Sequence, residues 1–152
     1  GVDYAEDWQQ IAKLVYYADK VAKISNHIYY YNCINNSSYV FAMYNKPSIT
    51  LWNQHIESAI LIEDFFSDKE QEYRDLSRRA VFYIIKTRMS LAAKWREKEF
   101  FENMKQKIKT QYADCYDEVG WDNLLVRAFM CNYTLNGMYR RLLSKIKTPS
   151  HH

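Results

Sequence analysis

Glycine and proline are scarce in this chain, with 3 Gly and 2 Pro in 152 residues. A β-sandwich or small barrel reverses direction many times and needs residues that tolerate tight turns. Too few are present here. The same shortage favours long, uninterrupted helices. Hydrophobic residues make up 48% and charged residues 26%. That balance excludes disorder and collagen, and a chain of this length can bury a core without disulfides or metals.

Cys33, Cys115 and Cys131 are odd in number, widely spaced and form no CxxC. They read as reduced thiols of a cytosolic protein, so the sequons at Asn35, Asn36 and Asn132 are chance matches. The stretch 24–45 lacks charge but is too rich in Asn and Ser to span a membrane. No signal-peptide pattern opens the sequence. Charge divides the chain: residues 1–68 carry 4 Lys/Arg against 8 Asp/Glu, and residues 69–152 carry 17 against 10. A basic half of this kind suits either a solvated helical surface or an anionic partner.

Periodicity predicts helices over 4–18, 48–66, 69–94, 97–111, 121–131 and 135–146. Ile11, Leu14, Val15 and Ala18 mark the first, with Asp3 as N-cap and Glu6 completing a capping box. Pro47 suits the first turn of the second, whose face is Ile49, Trp52, Ile56, Ala59, Ile60, Glu63 and Phe66. Tyr73, Leu76, Ala80, Tyr83, Ile84, Thr87 and Leu91 track one side of the third. Phe101, Met104 and Ile108 point inward from the fourth. Trp121, Leu124, Leu125 and Ala128 define the fifth, and Leu135, Met138, Tyr139, Leu142 and Ile146 the sixth, which Pro149 ends. Between the first two helices, about 20–32 reads as a short β-hairpin, followed by a polar loop. The expected fold is mainly α: an irregular bundle of five to six helices with a small hairpin near its front. Trp52 and Trp121 are expected in the core or between helices, and His55 as a structural histidine. Trp95, between Lys94, Arg96 and Lys98, is a candidate for surface stacking.

Many chemistries are absent from the sequence. It has no GxGxxG, no GxxxxGK[ST], no HExxH, no GxSxG, no zinc-ligand spacing and no Asp-x-Asp. What remains is Glu6-Asp7-Trp8, then Lys13-Leu14, the run Ile28-Tyr29-Tyr30-Tyr31 and the Asn35–Ser38 turn. Acidic residues in a first helical turn and tyrosines in a strand each have ordinary structural explanations.

Taken together, residues 1–40 resemble the end of the catalytic domain of bacterial family 2 glycosyltransferases. There a Glu-Asp pair opens a helix, an aromatic residue follows, a basic residue lies six positions after the Asp, and a tyrosine-rich hairpin comes next. Lys13 stands where the family usually has Arg, and Asn32 where a basic residue often follows the tyrosines. The resemblance implies a GT-A enzyme that transfers sugar from a nucleotide donor to a glycan or lipid-linked acceptor with inversion. It implies Asp7 as general base, Glu6 in a supporting role, and Trp8 and Lys13 as substrate contacts. It divides the chain into the end of a catalytic domain, 1–40, and a helical C-terminal domain, 41–152. In the family the nucleotide-binding half and its Asp-x-Asp site, which holds Mg or Mn, precede the Glu-Asp pair. The expectation is therefore the C-terminal portion of a longer cytoplasmic enzyme, inactive alone and without a cofactor of its own.

Apolar residues around 1–31 would then need cover, and a homodimer is one remedy. Contact with the inner face of the plasma membrane is a further expectation. Two other readings stand beside this one. A helical protein-interaction module fits the amphipathic helices equally. A nucleic-acid binder would use Arg74, Arg78 and Arg79 with Lys105, Lys107 and Lys109, but no recognised motif accompanies them.

Overall fold

The computed structural model describes residues 6–22, 48–116 and 123–146, with backbone only at Glu6, Lys145 and Ile146. Six α-helices occur among the described residues: α1 (Glu6–Tyr17), α2 (Ile49–Phe66), α3 (Gln71–Trp95), α4 (Lys98–Gln111), α5 (Leu124–Met130) and α6 (Tyr133–Ile146). A 3₁₀ turn, Ala113–Cys115, follows α4. Residues 20–22 leave α1 without entering a strand. The rest of the expected hairpin, the 40/41 boundary, Asp3, Cys33 and Trp121 lie outside the described residues.

Side-chain chemistry sets several of the helix ends. Ser48 caps α2, its hydroxyl accepting from the Leu51 N–H at 3.4 Å, so the helix starts two residues after Pro47. Asn123 caps α5 by accepting from Leu125 and Val126. Asn132 caps α6 by accepting from Leu135 N–H at 3.0 Å, which gives the sequon asparagine a structural task. Arg96 ends α3 in the left-handed region at φ 69°, and the Glu97 N–H reaches back to Ala92 O at 2.9 Å. That tight stop turns the chain into α4 within two residues.

The core lies around α3, which packs against α2, α4 and α6. Trp52, Ile56 and Ala59 of α2 meet Val81, Phe82, Ile85 and Met89 of α3, with Phe101 and Ile108 from α4. Trp52 sets its ring edge against Phe100 at 5.2 Å, and Phe101 meets Tyr133 at 5.4 Å.

Four expected faces are corrected. On α5, Leu124, Leu125 and Ala128 are all exposed. On α3, Tyr73, Leu76, Ala80 and Tyr83 lie exposed, while Ser77, Val81, Ile84, Ile85, Arg88, Ala92 and Ala93 are buried. Of the expected face only Ile84 is buried; the buried side centres on Val81, Phe82, Ile85 and Met89, with Ser77, Ser90, Ala92 and Ala93 letting neighbouring helices approach closely. On α1, Ile11, Leu14 and Val15 face outward, with Leu14 69% exposed, and Ala18, just past its end, is exposed too. On α6, Leu135, Met138, Tyr139 and Leu142 also face outward, and the buried residues are Asn136 and Gly137.

Candidate functional site

α1 lies on α2 through its polar and aromatic residues. Gln9 Nε2 donates to Ser58 Oγ at 3.3 Å, and Tyr16 OH donates to Glu70 at 3.2 Å. Tyr16 also meets Phe65, Phe66 and Tyr73 edge-on. These anchors fix the helix at both ends and turn its aliphatic residues outward.

The sequence-derived site residues divide by face. Asp7 is exposed in the first turn, and its carboxylate accepts from the Trp8 N–H at 3.0 Å. Ile11 and Leu14 follow it at i+4 and i+7, so the carboxylate heads the open apolar stripe. Lys13 is six residues on, about 120° around the helix and about 9 Å along it. Its ammonium stands over the Phe65 ring at 5.3 Å, beside Lys69 at 5.4 Å on the same ring. Lys13 and Asp7 are thus not brought together. Trp8 turns its ring edge to His55 at 4.5 Å. Glu6 contributes backbone to the first turn.

Beneath Trp8 lies a polar centre that the sequence did not signal. Arg88 of α3 is 1% exposed, and its Nε donates to His55 Nδ1 at 3.1 Å, with Nη2 also against Nδ1. Burial, then repulsion by the Arg88 charge, holds the His55 pKa at about 4. The imidazole is therefore neutral at pH 7, as an acceptor for Arg88 must be. This matches the expected structural histidine.

A second network joins α2, α3 and the 3₁₀ turn. Arg78 donates to Asp114 at 2.7 and 2.9 Å, to Glu63 at 3.2 Å and to the Gln111 carbonyl. Tyr112 OH donates to Glu63 at 2.7 Å, and the Arg78 guanidinium covers its ring at 4.8 Å. The Asp114 hydrogen bond raises the Arg78 pKa and lowers that of Asp114. Burial, then Glu63, pushes the Tyr112 phenol up. An open cleft of about 640 Å³ borders this network, where Glu63, Asp64 and Asp75 face Arg74, Arg78 and Lys107. Its charges balance internally. Of the cations weighed for nucleic acid, Arg78 is taken up here, Arg74 donates to Gln71, and Lys105 pairs with Glu102 at 3.2 Å.

Cys115 is buried, and burial raises the pKa of Cys131. Trp95 packs against the core under Lys94, whose ammonium is 4.9 Å from its ring. Among the described residues no group of three or more His, Cys, Asp and Glu could hold a metal ion, and no helix is long and apolar enough to cross a membrane.

No family model matches the chain, and no curated protein or solved structure matches it. The site reading therefore rests on these residues and their surroundings. Two packing features had a readable trace: Gly137 stands in mid-helix, where only close packing justifies a glycine, and Arg141 lies one turn on. Arg141 donates to Ala93 O and Lys94 O, closing the carbonyl end of α3. The His55–Arg88 pair had no trace, because 33 residues separate them.

Proposed function

We propose that this chain forms the acceptor side of an inverting nucleotide-sugar glycosyltransferase, with Asp7 as its base. The observation that carries the reading is the position of Asp7: an exposed carboxylate in the first turn of α1, at the head of an uncovered apolar stripe. An acceptor hydroxyl has a pKa far above neutrality and attacks well only as its proton leaves. In the proposed step the hydroxyl oxygen bonds to the anomeric carbon on the face opposite the nucleotide. Its proton passes to the Asp7 carboxylate, and the bond to the nucleotide phosphate breaks with its electron pair. A partly positive, oxocarbenium-like sugar at that moment gains from a nearby carboxylate.

The uncovered stripe of Ile11, Leu14 and Val15 supports the second half of the proposal. It suits the packing surface of a nucleotide-binding half that carries the donor and any Mg or Mn. What this chain supplies to the step is the Asp7 carboxylate. A cytoplasmic location belongs to the same reading, since nucleotide sugars are its substrates. The outward apolar faces also favour a helical interaction module without catalysis, and the following experiment separates the two.

The test is transferase activity of the full-length protein with a panel of nucleotide sugars. Asp7→Asn keeps shape and removes the base, so turnover should fall by about 10²–10⁴-fold with donor binding retained. Glu6→Gln should lose less. A folded Asp7→Asn protein with full activity, or a full-length protein with no nucleotide-sugar segment, would overturn the proposal.

A further inference from the structure

Two cations meet between α3 and α6 without an acceptor. α6 runs back along α3: Tyr133 meets Phe101 beyond the end of α3, and Asn136 Nδ2 donates to Ser90 Oγ at 3.4 Å. The backbones are close here, since a side chain at Gly137 would stand 2.5 Å from Ala93 O. One turn on along α6 from Asn136 comes Arg140, and one turn back along α3 from Ser90 comes Lys86. Both are half-buried. Arg140 Nε is buried with no hydrogen-bond partner. Lys86 Nζ rests over the Tyr83 ring at 4.7 Å, a contact that leaves its charge in place. Burial, then the Arg140 charge, lowers the Lys86 pKa.

The other arginines packed into the body have fixed acceptors. Arg78 donates to Asp114, Arg88 to His55, and Arg141 to the Ala93 carbonyl at 3.1 Å. Neither Arg140 nor Lys86 forms an ion pair among the described residues. α6 carries no Asp or Glu, and the acids of α3, Glu72 and Asp75, lie toward its far end, about 16 Å or more along the helix from Lys86. Like charges drawn out of water together, with no counter-ion, weigh against folding. A bound anion would offset that cost. Two unpaired positive charges match a dianion, and a phosphate monoester is close to one at neutral pH, its second pKa being about 6. A guanidinium presents a planar fork that fits two phosphate oxygens, and an ammonium adds a point charge for a third.

We propose that Arg140 and Lys86 form a binding site for a phosphate group in the crease between α3 and α6, with Arg140 holding two oxygens and Lys86 a third. The group is either free inorganic phosphate or the phosphate of a monoester. This site stands apart from Asp7 and the transferase reading and is tested without activity. Full-length protein is titrated by calorimetry at about pH 7.5 with sodium phosphate and with phenyl phosphate, against sodium chloride of equal ionic strength. Saturable binding of one phosphate per chain is expected, and each phosphate that binds should raise the melting temperature. Equal affinity for the two identifies the free anion as sufficient, and tighter phenyl phosphate points to an ester; either result supports the site. Arg140→Gln, and Lys86→Met, which keeps the stem and drops the charge, should each weaken binding at least about tenfold, with helix content unchanged by circular dichroism. Lys109→Gln removes the same charge from an exposed position on α4 and should leave affinity within about twofold. No saturable binding of either phosphate overturns the proposal. So does binding undiminished in Arg140→Gln and Lys86→Met, or reduced as much by Lys109→Gln, since net charge alone then holds the anion.

Discussion

His55 illustrates how one residue ties the first three helices together. It sits on α2, accepts from Arg88 of α3 and is covered by Trp8 of α1. Folding holds its pKa at about 4 against an ordinary value of 6.5. The unfolded chain therefore binds a proton more readily than the folded one between those values. Stability from this residue is complete above pH 6.5 and is lost as pH falls toward 4. The full loss is about 3 kcal/mol. Melting temperature should drop across that window, and His55→Gln, which keeps an acceptor but cannot titrate, should flatten the drop. An identical acid limb in both proteins would remove His55 as the titrating group.

At the scale of elements, helix boundaries follow from local chemistry and helix faces do not. α2 begins at Ile49, after its cap Ser48, and α4 ends at Gln111, close to the bounds that periodicity sets. α3 and α6 are held together by what they lack: Ser90, Ala93 and Gly137 leave room for backbones to approach. Gly137→Ala tests this directly. Helix propensity favours alanine by about 1 kcal/mol, while a methyl at 2.5 Å from Ala93 O forces the helices apart at about 1–3 kcal/mol. The clash is with backbone and should win. The urea midpoint should fall by an amount equal to about 1–2 kcal/mol, and an increase would show that α6 shifts freely.

Over the whole molecule, stability and apolar exposure are separated in space. The residues that hold the fold are Trp52, Phe82, Met89, Phe101 and Ile108 around α3, while α1, α5 and α6 keep aliphatic side chains outside. Phe101, 0% exposed, should cost about 3–5 kcal/mol as Phe101→Ala. Leu125→Ala should stay within about 0.5 kcal/mol despite removing a leucine. Denaturant titration of the two variants compares them directly. Equal losses would mean that α5 is part of the folding core.

Scarce glycine and proline, together with 3.6-residue periodicity, determined the helical class and most of the helix ends among the described residues, because helix formation depends on neighbours within a turn or two. Sequence also placed Asp7 in a first turn and His55 against an apolar face. Periodicity marks an apolar stripe but not what lies opposite it. The stripes of α1 and α6 were visible as patterns, yet their direction depended on residues far away in the chain: Ser58 and Glu70 for α1, Ser90 and Ala93 for α6. Those partners offer polar and close-packed contacts to the other side of each helix. Only their meeting in three dimensions turned two ordinary amphipathic helices inside out and left apolar surface for something else to cover.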